Sequence, residues 1–342
     1  VSRDALTHHL AVPKLYLQHG GVYEIPSIKF SYYPMNMDYL YSVPLYFGND
    51  IIPKFIHFLF ALLTAAILYA YLNKRIGKLW GLCGAAFFLS LPIVVKLSIT
   101  VYVDLGLVFF STAALIYVFK WIEKRFQGRF LVFSGIFCGL ALGTKYNALI
   151  VLFLLTAFVP FIYISQTKKM ATGSGDEAKR RSVSYQLKGL AYGALFCAVS
   201  LLIFSPWMIR NYIWQSNPIY PLYNSRFNPS PSADAVGADH SSGQNSSAGQ
   251  IKKSPKSTGG SGTFAFRKVA YNEQWWQILL LPVRIFFQGQ DDNPKYFDGK
   301  LSPFLFFLPL AAFWPTKREP DSLKVEKRIL AAFAVLFILY AF

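Results

Sequence analysis

The stretch that decides the fold is FLVFSGIFCGLALGTKYNALIVLFLLTAFVPFIYI, residues 130–164. A bilayer core of about 30 Å is crossed by about 20 mostly apolar residues in a helix. This run is too long for one crossing and just long enough for two short ones. Its interior holds Gly143-Thr144-Lys145-Tyr146-Asn147, and a lysine halfway across a bilayer would be costly. The run therefore reads as two spans, Phe130 to Gly143 and Ala148 to Ile164, joined by a turn that carries a cation.

The same measure applied outward finds spans at Phe55 to Leu72, Leu79 to Leu97, Leu105 to Ile122, Gly189 to Phe204, Pro303 to Trp314 and Ile329 to Phe342. Composition agrees. Of 342 residues 54% are hydrophobic and only 15% charged, against about 25% charged in soluble domains. An ordinary cytosolic enzyme, a disordered chain and a disulfide scaffold are excluded. Cys83, Cys138 and Cys197 lie in apolar runs without metal or redox spacing and read as packing residues.

The net charge of +17 would suggest nucleic acid in a soluble protein, but its placement favours membrane topology. Lysines and arginines gather in alternate loops: Lys74, Arg75 and Lys78; Lys120, Lys124, Arg125 and Arg129; Lys168, Lys169, Lys179, Arg180 and Arg181; Lys317, Arg318, Lys324, Lys327 and Arg328. The short loops between them hold only Lys96 and Lys145. The positive-inside rule makes the first set cytoplasmic. Residues 1–53 then form a first outer loop, 54–205 a block of spans, 206–302 a second outer segment and 303–342 further spans. The chain starts at Val1 and stops inside an apolar run, so a helix is expected upstream and more downstream.

Within the first outer loop, Phe30 to Phe47 interleaves tyrosines with prolines, as expected of helices at headgroup level. Residues 229–263 are a low-complexity insert rich in Ser, Gly, Pro and Asn, which cannot pack a core. Trp275 to Phe287 holds Pro282 and Arg284 and reads as interfacial or re-entrant. No repeat of fixed period is present.

Candidate chemistry falls on the outer side. Asp4 and Asp104 each precede a helical run, where a carboxylate commonly caps the helix. The functional alternative is that an acid at the membrane surface takes a proton from an attacking group. Lys145 with Tyr146, and Arg210 with Asn211, combine a cation with a hydroxyl or amide, a pairing suited to phosphate; their bland reading is snorkelling to headgroups. His9 and Lys14 in the first loop complete the candidate substrate contacts. His8 and His9 are adjacent, the wrong spacing for a zinc pair. Asp291, Asp292 and Asp298 do not match a calcium loop and read as a turn or a loop over the site. Asn245 starts a glycosylation sequon in a Ser-rich segment, where chance matches are frequent. With no phosphate-binding or dinucleotide loop, any activated sugar or phosphate would come from the lipid phase.

The order of pieces resembles the GT-C superfamily of membrane glycosyltransferases, specifically the group of protein O-mannosyltransferases and lipid A aminoarabinose transferases. The carriers are RDALTHHLAVPKLYLQHGG, FSYYPMNMDYLYSVPLYFG, LSITVYVDLGLVFFSTAAL, GIFCGLALGTKYNALIVL and SPWMIRNYIWQSNPIYPLYN, with a weaker echo in QGQDDNPKYFDGKLSP. The resemblance implies an all-α polytopic bundle whose long first outer loop carries interfacial helices. It implies inverting transfer from a polyprenyl-phosphate sugar to a glycan, lipid or protein acceptor at the outer face. Asp4 would be the general base and Asp104 would position the acceptor, with Lys145, Tyr146 and Arg210 at the donor. No cofactor and no nucleic acid are implied, and a divalent metal stays open. The absence of outer-loop cysteines points to a bacterial inner membrane, with the site facing the periplasm. Aminoarabinose transferases carry Lys-Pro where this chain has Tyr33-Pro34-Met35. A transporter or flippase for a lipid-linked glycan, and a non-catalytic assembly subunit, are the competing readings.

Overall fold

The computed structural model describes residues 3–168, 176–229, 263–291, 293–312 and 321–341. Among them the regular structure is entirely helical. The start is a π-helical turn at Ala5–His9, then α1 (Ala11–His19) and α2 (Asn36–Tyr46). The membrane block holds α3 (Ile52–Ile76), α4 (Lys78–Ser90), α5 (Pro92–Ser98), α6 (Asp104–Glu123), α7 (Gly128–Leu142), α8 (Ala148–Lys168) and α9 (Asp176–Gln215). Short helices α10 (Asn224–Phe227), α11 (Thr263–Tyr271), α12 (Trp275–Leu279) and α13 (Leu281–Arg284) precede α14 (Phe304–Ala312) and α15 (Asp321–Ala341).

Among the described residues, four helices are long and apolar enough to cross a membrane: α3, α6, α8 and α9. With 25 residues, α3 extends about 37 Å at 1.5 Å per residue. Many of their apolar side chains, including Phe161, Leu190 and Leu202, are exposed, as a lipid-facing surface requires. The chain is an integral membrane protein of all-α class.

The expected spans Phe130 to Gly143 and Ile329 to Phe342 correspond to α7 and α15, which are not among these four. Three further elements differ from their sequence reading. The span expected at Leu79 to Leu97 is two helices, α4 and α5, bent by 65°. The break falls at Leu91, whose backbone is extended (φ −62°, ψ 128°). A residue before proline is driven out of helical geometry, and Pro92 cannot supply the N–H that would continue the ladder. In the opposite sense, α9 runs well past Phe204 to Gln215. It continues through Pro206, where the Ser205 hydroxyl donates to the Leu202 carbonyl at 2.7 Å, the carbonyl that proline would leave without a partner. Arg210 and Asn211 thus sit on a helix and not in a loop. Thirdly, the Pro303 to Trp314 run forms a nine-residue helix, α14, too short to cross as described; Phe313 and Trp314 lie outside the described residues, as does the insert from 230 to 262 with Asn245. The Trp275–Phe287 run holds only the short α12 and α13.

Packing explains how the first loop is held. Gly135 and Gly139 of α7 face α9 so closely that a Cβ on Gly139 would lie 2.6 Å from the Ser200 carbonyl, the small-residue contact that membrane helices use. At the end of α7, Asn36 wedges between helices. Its backbone N–H donates to the Gly143 carbonyl at 2.8 Å, its amide donates to the Leu140 carbonyl at 3.2 Å, and its Oδ1 accepts from the Trp207 indole at 2.9 Å. Val12, Tyr16 and Met35 pack with Leu142, Tyr146, Phe204 and Trp207 in one buried cluster. Far from this end, Arg75 pairs with Glu326 and Lys74 with Glu123, joining α3 to α15 and α6.

Candidate active site

A cavity of about 520 Å³ opens where the first loop meets the ends of α5, α6 and α7. Asp4, Asp104 and Lys145 all line it. Neither acid caps a helix through its side chain. Among the described residues no hydrogen bond or ion pair occupies the Asp4 carboxylate, which is exposed at the cavity rim. Asp104, first residue of α6, instead accepts from the Lys145 ammonium at 2.7 Å.

The capping of α6 is done by a residue the sequence reading passed over. His57 of α3 is fully buried, and its Nε2 accepts from the Leu105 N–H at 3.0 Å. Its Nδ1 then carries the hydrogen and donates toward the carbonyls of Leu97 and Thr100, 3.0 and 3.1 Å away. One imidazole thus ties α3 to the α5–α6 connection and frees the Asp104 carboxylate for the cavity. Tyr41 adds a second tie, its hydroxyl donating to the Tyr102 carbonyl at 2.5 Å.

His9 also lines the cavity, with Nδ1 2.7 Å from the buried carboxylate of Asp38. His8 stacks on Phe30, ring centroids 4.3 Å apart, and burial, reinforced by His9 and Lys145, lowers its pKa to about 4. It is neutral at pH 7. On the far wall, Lys96 pairs with Asp298 at 3.1 Å and Asp291 at 3.4 Å. Phe297 and Asp298 line that side of the cavity, and Asp292 lies outside the described residues. No three His, Cys, Asp or Glu side chains among the described residues are grouped to hold a metal.

Arg210, Tyr146 and Asn211 lie elsewhere, behind the cavity wall. The Arg210 guanidinium sits over Trp207 and Trp214, 4.6 and 4.9 Å from their ring centroids. It donates to the carbonyls of Tyr32 at 2.7 Å and Tyr33 at 3.1 Å, while Asn211 donates to the Tyr32 carbonyl at 2.9 Å and the Tyr146 hydroxyl at 3.1 Å. These residues hold the 32–33 backbone, and with it the Tyr33 side of the cavity. Lys14, on α1, is exposed and does not line the cavity. Asp38 and Lys96 are the lining residues that sequence reasoning left without a role. Their signal was present: Asp38 is a lone acid in an aromatic, apolar stretch and Lys96 a cation within an apolar run, and such residues mark sites by default.

No curated protein and no solved structure matches the chain. A family model does: residues 47–173, which include Asp104 and Lys145 but not Asp4, His9 or Asp38, match the dolichyl-phosphate-mannose-protein mannosyltransferase family. Residues 47–173 are thus similar to a membrane domain of the GT-C glycosyltransferase type.

Proposed function

We propose that the cavity transfers a sugar, with inversion, from a polyprenyl-phosphate donor to a glycan, lipid or protein acceptor at the outer face of the membrane, read as the periplasmic face of a bacterial inner membrane. One observation carries this reading: Asp4 and Asp104, a hundred residues apart, open onto one cavity together with Lys145. Convergence of acids and a cation in a concave site is what acid–base and electrostatic catalysis require.

In this reading the acceptor O–H or N–H is deprotonated by Asp4, which is the unoccupied carboxylate of the cavity. The acceptor atom bonds to the anomeric carbon, the bond from that carbon to the phosphate oxygen breaks, and its electron pair leaves on the phosphate. Asp104 positions the acceptor and holds Lys145, whose ammonium balances charge developing on the leaving phosphate. His9 is a substrate contact within the cavity. Tyr146, Arg210 and Asn211 lie behind the cavity and hold the 32–33 backbone, so their part is to support the wall, and Lys14 stands exposed on α1 away from the cavity. Transfer needs no nucleotide-binding module, because the phosphate leaving group is carried on a lipid and enters from the membrane.

The test is Asp4→Asn in membranes supplied with polyprenyl-phosphate mannose. The variant is expected to fold as the wild type does and to lose transfer by at least about 10²-fold, the lower range for a positioned general base. A fully active Asn variant would sink the assignment.

A further inference from the structure

The cavity presents an electrostatic difficulty for a phosphate. Its lining carries four carboxylates, Asp4, Asp38, Asp104 and Asp298, against two ammonium groups, Lys96 and Lys145. Both lysines are already paired with carboxylates. Arg210, the cation that sequence reading assigned to the donor, is engaged behind the wall. An anionic ligand entering such a site needs a further positive donor, since an uncompensated anion in a partly desolvated cavity is costly.

The structure holds one group built for this. His9 is buried, and its Nδ1 is fixed on Asp38, whose side chain is only 3% exposed. The buried carboxylate orients the ring, as carboxylate–imidazole pairs do in hydrolytic triads. Fixing Nδ1 leaves Nε2 as the ring atom available to a ligand, and among the described residues no hydrogen bond occupies it. We propose that His9, oriented by Asp38, takes up a proton as the lipid-linked phosphate enters and donates an Nε2–H hydrogen bond to a phosphate oxygen. This rests on the transferase reading and deepens it by assigning the donor-phosphate contact. His9 is a further catalytic residue beside Asp4 because it touches the donor; Asp38 is a positioning residue. No bond to His9 breaks in the transfer: the acceptor proton goes to Asp4, and the Nε2–H bond strengthens as the phosphate gains charge.

Charged and titratable groups face His9 from each element around it. They are His8 and Asp4 on its own segment, Asp38 on α2, His57 on α3, Tyr102 and Asp104 at the α6 start, Lys145 after α7, and Lys96 with Asp298 across the cavity. Tyr102 meets the His9 ring edge-on at 5.8 Å.

The experiment uses the full chain in detergent with farnesyl phosphate as the probe. Calorimetric titration at pH 7.5 in two buffers of different ionisation enthalpy reads both affinity and protons taken up. Wild type is expected to bind with net proton uptake. His9→Gln, which keeps a neutral amide, is expected to bind about 10-fold or more weakly, the scale of one charge-assisted hydrogen bond, with the uptake gone. Asp38→Asn is expected to lose the uptake and part of the affinity while keeping an acceptor for Nδ1. Thermal unfolding of both variants reports folding, and the uptake is a readout that a merely structural pair would not move. If His9→Gln binds farnesyl phosphate as wild type does, with the same uptake, the His9 assignment fails and the donor reading stands. If wild type binds no farnesyl phosphate, both fail.

Discussion

Lys145 donates to Asp104 at 2.7 Å, so the turn between α7 and α8 is clasped to the first residue of α6 at the edge of the cavity. The two side chains are 37% and 30% exposed. An ion pair this wet contributes little to stability, about 0–1 kcal/mol, yet it sets where an ammonium and a carboxylate stand relative to each other. Its value is positional.

Lys145→Met is therefore expected to change the unfolding free energy by less than about 1 kcal/mol while reducing transfer by about 10²-fold or more, as loss of a charge-stabilising donor does. Thermal unfolding and transfer rates measured on the same preparation check this. Equal losses in both would make Lys145 a structural residue.

Gly143→Ala probes the wedge formed by Asn36. A Cβ at this position would lie 2.1 Å from the Asn36 amide nitrogen, so the amide must leave its hydrogen bonds to Leu140 and Trp207. The expected cost is about 1–3 kcal/mol for overpacking a tight site. Transfer should fall further than stability predicts, because Thr144 and Lys145 follow directly in the cavity wall. Pairing the variant with Asn36→Ala in a double-mutant cycle checks the mechanism: once the amide is gone, the alanine should cost much less.

Arg210→Lys is expected to lower stability more than it lowers donor affinity. Lysine cannot hold both the Tyr32 and Tyr33 carbonyls and the Asn211 amide while stacking on two indoles. A loss of about 1–3 kcal/mol, typical of charged hydrogen bonds, should appear in thermal unfolding. If instead farnesyl phosphate binding falls tenfold at unchanged stability, Arg210 reaches the donor after all.

Glu273 predicts a pH dependence outside the membrane block. Hydrogen bonds from Arg267, with Arg284 beside it, lower its pKa from the ordinary 4.5 to about 2. A folded-state pKa below the unfolded one means that the stabilisation is fully present above about pH 4.5 and drains away as pH falls toward 2. Wild type should therefore lose thermal stability relative to Glu273→Gln between pH 5 and pH 3, and the gap between them should be widest at neutral pH. A gap that does not change with pH would remove the ion pair as its cause.

The bundle was legible in the sequence because its determinants are local. Long apolar runs fold as helices in lipid wherever the rest of the chain lies, since backbone polar groups can be satisfied there only within the segment. The break at residues 143–147 was visible through one lysine. Asp4 and Asp104 were visible as acids beside apolar helices, but the choice between helix cap and site was not. For Asp104 the capping part depended on His57, which is 47 residues away in the chain and takes over the capping of α6. Likewise Arg210 and Lys145 looked equivalent as cations beside amides and hydroxyls. Only packing sent one onto two indoles behind the wall and the other to a carboxylate in the cavity. Span lengths and charge bias are properties of single segments, so the amino-acid order determined them. Which acids, cations and imidazoles share one space is a property of segments brought together, and the tertiary structure alone decided it.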